Sequence, residues 1–251
     1  MKRIAFVLLC LVTFLSCQEQ QSKQLNVAVA ANMQFAMKEI TKKFEEETGI
    51  HCDLIISSSG KLTAQIKEGA PFDIFVSANM KYPNELYKYG LTEKAPEIYA
   101  YGKLILWSMK KDIVPNIDSL KNTQIKHIAI SNPKSAPYGI AAFEVLNHFK
   151  MVTDLSTKLV YGESVLQTNQ FIISNAAEIG FTAKSIVLSP KMKGKGHWID
   201  IDETLYTPIS QGAVIIKNKK YPNKNAKQFY DFLFSPKAKE ILVNFGYAIK
   251  N

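Results

Sequence analysis

Four short stretches of this 251-residue chain combine small or polar residues with a strand signal before them and a helix signal after: Ala31-Asn32, Ser58-Ser59-Gly60, Pro137-Tyr138-Gly139 and Glu163-Ser164-Val165. The chemistry open to such junctions is anion binding. The first backbone N–H groups of a helix have no intrahelical acceptor, and the helix dipole favours negative charge at that end. An anion is stabilised there without a neighbouring cation. Asn32 adds an amide NH₂ and Ser59 a hydroxyl, whereas Tyr138 and Val165 offer mainly backbone N–H. A fully desolvated divalent oxyanion needs several such donors, because burying charge without hydrogen bonds is costly. All of these donors are neutral. That suits a protein that must release what it binds, and it selects oxygens that carry no proton. Taken singly, each residue has a plainer role: Asn32 and Ser59 as helix caps, Tyr138 as a turn residue after Pro137, Val165 as core.

The elements that must position these junctions alternate along the chain. Leu25 to Ala31 reads as a buried strand, followed by Met33, Met37, Ile40 and Phe44 at helical spacing up to Thr48-Gly49. The pattern repeats with a strand over Asp53 to Ser57, a helix marked by Leu62 and Ile66 and ending at Gly69, a strand over Asp73 to Ser77 and a helix over Pro83 to Lys88. A second series follows: strands at 103 to 109, His127 to Ser131, within Ser156 to Tyr161, and Glu178 to Thr182, with helices over Gly139 to Phe149 and Ser164 to Ser174. A strand over Gly212 to Lys217 and helices over Asn225 to Phe234 and Pro236 to Asn244 close the chain. Such alternation predicts mainly parallel sheets covered by helices, with ligands beyond the carboxyl ends of the strands.

Enzyme signatures are weak by comparison. His51, His127, His148 and His197 are isolated, with no His-x-x-x-His or Cys-x-x-Cys pair for zinc, and Gly-x-Ser-x-Gly is absent. Gly194-Lys-Gly196 lacks phosphate-loop spacing and reads as a surface turn. Asp73 is read as structural, since its charge would oppose an anion in the same cleft. The set Tyr82, Tyr87, Tyr89, Tyr99 and Tyr101 is read as helix and rim packing rather than sugar stacking. A hydrolase assembled from distant residues stays open as the second class.

Residues 1–16 read as an export signal, with Lys2 and Arg3 ahead of an apolar run from Ile4 to Leu15 that is too short to span a bilayer. The segment Phe14-Leu15-Ser16-Cys17 resembles the lipobox of bacterial lipoproteins, with Phe14 where the motif prefers Leu. That resemblance implies acylation of Cys17, a tether over residues 17–23, and a product held on the outer face of a membrane or in the periplasm. Ordinary cleavage nearby, with Cys17 discarded or left free, is the alternative. Export removes two of the 31 basic residues and none of the 22 acids, leaving a net charge of +7. This charge is scattered as single lysines and Arg3 is the sole arginine, so nucleic acid is not expected as a partner. Cys17 and Cys52 offer no disulfide framework or thiolate metal site.

Three blocks then align in order: Val27-Ala-Val-Ala-Ala-Asn32-Met-Gln-Phe-Ala-Met37, Ser57-Ser-Ser-Gly-Lys-Leu62 and Gly69-Ala-Pro-Phe-Asp-Ile-Phe-Val-Ser-Ala78. Together with Pro137-Tyr-Gly139, Gly162-Glu-Ser-Val165 and Glu178-Ile-Gly-Phe181, they resemble the periplasmic molybdate-binding proteins over nearly the whole mature chain. The resemblance implies an α/β, two-lobed type II periplasmic-binding-protein fold, each lobe a mostly parallel sheet flanked by helices, with the ligand in the interlobe cleft. It divides the chain into one lobe of residues 24–103 and 208–251 and a second of residues 104–207. It implies capture of molybdate or tungstate as an oxyanion, no catalytic step, no cofactor, no direct cation ligands, action as a monomer, and delivery to the membrane subunits of an ABC importer. Its anion contacts fall on Asn32, Ser59, Tyr138 and Val165. Some members have Ser in place of Asn32, and some use a Tyr hydroxyl where Ala183 stands here, so one donor is missing or replaced. Sulfate, phosphate and organic anions are the nearer rivals, since the size of a cleft is not written in its sequence.

Overall fold

The computed structural model describes residues 24–217 and 223–249. The expected signal, the tether and Cys17 lie outside these residues. Among the described residues no helix is long and apolar enough to cross a membrane.

The first sheet is assembled from β1 (Gln24–Ala30), β2 (His51–Ser57), β3 (Ile74–Val76), β4 (Glu97–Gly102) and β10 (Ile209–Ile215) in the order β2-β1-β3-β10-β4. The second contains β5 (Leu104–Ser108), β6 (Ile128–Ser131), β7 (Leu159–Gly162), β8 (Ile179–Ala183) and β9 (His197–Asp200) in the order β7-β6-β8-β5-β9. The two sheets have the same plan. In the first, β1 runs parallel to β2 and β3 while β10 is antiparallel to β3 and β4; in the second, β6 runs parallel to β7 and β8 while β5 is antiparallel to β8 and β9. Four strands of each sheet therefore point one way. The reversed strand in each follows directly on a crossing from the other sheet. Only Lys103 separates β4 from β5, and residues 201–208 separate β9 from β10.

Side-chain alternation decides which helices cover which face. Leu25, Val27 and Val29 of β1 pack with α1 (Gln34–Thr48), α8 (Asn225–Leu233) and α9 (Pro236–Asn244), where Met37, Ile40, Phe44, Phe229, Leu233 and Leu242 are buried. Ala28, one step out of phase, faces Leu62 and Ile66 of α2 (Ser59–Lys67) and Leu86 of α3 (Lys81–Lys88). A strand buried on both faces must read as an apolar run, as Val27-Ala-Val-Ala does. The stripe of α1 closes on Phe44, whose ring meets Phe229 edge-on at 5.1 Å. Gly49 ends that helix in the left-handed region at φ 71°. In the second lobe α4 (Pro137–His148) and α6 (Val165–Ile173) cover the sheet, with two short turns of helix, α5 (Val152–Leu155) and α7 (Lys184–Val187), beside them.

The expected strand at 212–217 begins three residues earlier, at Ile209, and four of the labelled strands and helices go beyond the sequence reading. Strand β4, just ahead of β5, lies outside the strand expected at 103–109; β9 is half exposed with no alternation; α5 and α7 are single turns.

Candidate anion-binding site

All four junctions stand at the carboxyl ends of parallel strands. Strand β1 ends in a 3₁₀ turn, Ala31–Met33, that leads into α1; β2 ends at Ser57 and α2 starts at Ser59; β6 leads to α4, and β7 to α6. Strands β1 and β2 are neighbours in one sheet, as are β6 and β7 in the other. Each sheet thus presents two adjacent helix entrances, and direct contacts tie the two pairs together. Gly60 N–H donates to Ser135 O at 3.0 Å, and Lys61 Nζ lies 2.9 Å from Glu163 Oε2. That lysine holds the Glu163 carboxyl below its ordinary range. Tyr82 Oη reaches Lys134 O at 3.4 Å, and Ser185 Oγ donates to Asn32 O at 2.8 Å. The cleft is closed in this arrangement. Gly60 is needed for it, because a Cβ there would lie 3.0 Å from the Ser135 Cα and carbonyl oxygen.

Ser59, fully buried, accepts from Ala78 N–H at 3.0 Å through its Oγ, which leaves its own proton to give. Val165 is the first residue of α6, and Gln167 Oε1 folds back to accept from Glu163 N–H at 2.8 Å, fixing the approach to that helix. The Val165 side chain is buried in the second core, as a core residue would be, while its backbone N–H stands in the first turn. Tyr138 differs from the sequence reading. Its hydroxyl is buried in a polar network rather than idle, receiving Gln211 Nε2–H at 3.4 Å.

That network centres on Asn32, 1 % exposed. The Asn32 amide donates to Gln211 Oε1 and to Tyr247 Oη, each at 3.0 Å. Tyr99 Oη donates to the same Gln211 oxygen at 2.7 Å, and Tyr247 Oη donates to Asn32 O at 3.0 Å. Burial pushes the hydroxyls of Tyr99, Tyr138 and Tyr247 well above the ordinary tyrosine range, so all three stay neutral donors. Tyr99 is therefore an inner residue, not part of the rim. Gly102 at the end of β4 makes room for this crossing, since a Cβ there would overlap Tyr138 Oη and Gln211 Nε2.

Three buried polar atoms at the junctions have no hydrogen-bond partner: Asn32 Oδ1, Ser58 Oγ and Ser135 Oγ. The fourth such atom among the described residues, Asn169 Nδ2, is inside the second lobe, where the Oδ1 of that side chain accepts from Thr182 at 2.5 Å. Ser58, Ser135, Gln211, Tyr247 and Ser185 were not singled out by sequence reasoning. Ser58 stood in the Ser-Ser-Gly block, and Gln211 as a polar residue inside a strand was a usable signal; nothing local marks Tyr247. Asp73, at the opposite end of β3, accepts from Asn26 N–H at 2.8 Å, and burial raises its carboxyl despite that bond. No group of three or more His, Cys, Asp or Glu side chains that could hold a metal ion occurs among the described residues.

Two lobes of like topology, crossing segments between them and paired helix entrances facing one cleft define a solute-binding protein of the type II periplasmic class. The chain belongs to the bacterial extracellular solute-binding protein family, which matches residues 25–248. It is an extracytoplasmic binding protein and not an enzyme. Among its relatives are the molybdate-binding protein ModA of Azotobacter vinelandii, 39% identical over 92% of both chains, and ModA of Rhodobacter capsulatus, 38% identical over 88% of this chain and 86% of that one. The solved periplasmic molybdate-binding protein of Azotobacter vinelandii superposes with a TM-score of 0.85 at 34% identity, covering 90% of this chain and 100% of that one.

Proposed function

We propose that this protein captures a tetrahedral oxyanion, molybdate or tungstate, between a lobe of residues 24–103 and 208–251 and a lobe of residues 104–207, and passes it to the membrane subunits of an ABC importer. It acts as a monomer held at the membrane through lipid on Cys17. Asn32 and Ser59 contact the anion from the first lobe, and the N–H groups of Tyr138 and Val165 from the second. The observation that carries this reading is the pair of unpartnered buried hydroxyls on Ser58 and Ser135, two of the four side-chain atoms left without a partner among the described residues. Each costs about 1–3 kcal/mol where it stands. A ligand that hydrogen-bonds them offsets that cost, and the two serine hydroxyls can only meet it as donors while their protons have no other taker. The family and the molybdate-binding relatives support the same substrate class.

Isothermal titration of the mature chain with molybdate, tungstate, sulfate and phosphate tests it. Tight one-to-one binding of the first two and weak or no binding of the others is expected. Preference for sulfate or phosphate would move the substrate while keeping the class, and no binding of any of the four would end the oxyanion reading.

A further inference from the structure

The Asn32 amide faces the wrong way for an anion. Both of its N–H groups are taken, by Gln211 Oε1 and Tyr247 Oη, and the side-chain atom left over is the acceptor Oδ1. An oxyanion meeting that oxygen is repelled. Turning Asn32 alone is blocked, because its Oδ1 would then face Gln211 Oε1, acceptor against acceptor. Turning Gln211 alone sets NH₂ against NH₂.

Turning both exchanges the bonds between these groups for an equal number. Gln211 Nε2 then donates to Asn32 Oδ1 and to Tyr99 Oη, and Tyr99 moves its proton to Ser77 O, already 3.2 Å away. Tyr138 Oη donates to Gln211 Oε1 across the contact where it now accepts. Tyr247 shifts its proton from Asn32 O to Asn32 Oδ1, and Asn32 O keeps its bond from Ser185 Oγ. The balance is that Asn32 Nδ2 alone gives up its two acceptors, and its N–H groups are released at the position the orphaned oxygen held, where the entering oxyanion takes them. The neutral hydroxyls permit this, since a tyrosine both gives and takes a hydrogen bond.

We propose that Asn32 and Gln211 reverse their side-chain amides as a coupled pair when the oxyanion enters, with Gln211 the positioning residue that converts Asn32 from acceptor to donor. This rests on the oxyanion reading above and deepens it. Gln211 sits on β10 and Tyr138 on α4, so the pair also ties the amide state to the meeting of the two lobes. An anion carrying a proton, such as phosphate near neutral pH, can use the unturned Oδ1 as its acceptor; an unprotonated one cannot. The amide state thus discriminates between the two kinds of anion.

The test is to follow the side-chain NH₂ signals of Asn32 and Gln211 by nitrogen–proton NMR of the mature chain as molybdate is added, alongside titration calorimetry of Gln211→Met. Gln211→Met keeps length and neutrality but cannot lock or release Asn32. Both NH₂ pairs shifting together at one equivalent in the wild type, with Gln211→Met binding about tenfold more weakly, is the expected result. Molybdate binding that moves the Asn32 signal alone, or neither, overturns the coupling, as does a Gln211→Met protein that binds within twofold of wild type. Binding of none of the anions would instead remove the oxyanion reading itself, so the two failures are distinguishable. Because the main readout is on the unaltered chain, a variant that folds poorly does not blunt the test.

Discussion

Replacing Gly60 with alanine separates closure from folding. Gly60 lies in the first turn of α2, and an added Cβ would meet Ser135 Cα and O at 3.0 Å and Tyr82 Oη at 2.9 Å. Tyr82 Oη ends a side chain and can shift. Ser135 contributes backbone from the opposite lobe and cannot, so the lobes must stand apart by a few tenths of an ångström. The hydrogen bond from Gly60 N–H to Ser135 O stretches with them. Overpacking of this kind costs about 1–3 kcal/mol, and the weakened bond adds at most about 1 kcal/mol. Alanine also favours helix over glycine by about 1 kcal/mol, and that gain belongs to the first lobe whether the cleft is open or closed. The expected outcome of Gly60→Ala is therefore a split: molybdate affinity falls about 10- to 100-fold by calorimetry, while the ligand-free melting temperature stays level or rises. Unchanged affinity, or a melting temperature that falls in step with it, would refute the argument that Gly60 serves the approach of the lobes.

Three further outcomes follow from the same geometry. Ser59→Ala removes both the proposed anion donor and the acceptor of Ala78 N–H, so it should weaken anion binding tenfold or more and also destabilise the free protein by about 1–3 kcal/mol in denaturant unfolding. Lys61→Ala breaks an ion pair between two half-exposed side chains at the mouth; affinity should fall less than about fivefold, and the small loss should vanish in high salt. Burial, with Glu45 and Asp53 adding to it, pushes the Cys52 thiol up to about 12, against about 8.5 in an unfolded chain. Because the folded value is the higher one, its contribution is fully present below about pH 8.5 and is lost as pH rises above that. Stability should hold through neutral pH and decline above about 8.5, the decline beginning later in Cys52→Ala.

How far the sequence carried these conclusions depends on the kind of signal. The strand-then-helix rhythm was legible because Val27-Ala-Val-Ala and the Met37, Ile40, Phe44 stripe each match one period, and two sheets with four co-directional strands follow from it. Strand β4 (residues 97–102) escaped altogether, since the strand expected at 103–109 covers β5 alone and the chain changes sheets at Lys103. The junctions were legible as places, since a strand end, a small polar residue and a helix start are local facts. Their wiring was not. Asn32 meets Gln211 across 179 positions and Tyr247 across 215, and neither partner carries a local mark of that encounter. The question raised by Ala183, what stands in for an absent tyrosine hydroxyl, has its physical context here: Tyr247, from the segment after α9, and Ser185, two residues past Ala183, bring hydroxyls to Asn32, and Tyr138 of α4 brings one to Gln211 beside it.

The most direct measurement of the central claim is anomalous X-ray scattering at the molybdenum edge from crystals of the mature chain grown with molybdate. The account predicts one peak per molecule between the ends of β1, β2, β6 and β7, with oxygens in hydrogen-bond reach of the Asn32 and Ser59 side chains and of the Tyr138 and Val165 N–H groups. A peak elsewhere, or a molybdate held by lysine side chains with those four groups untouched, would contradict it.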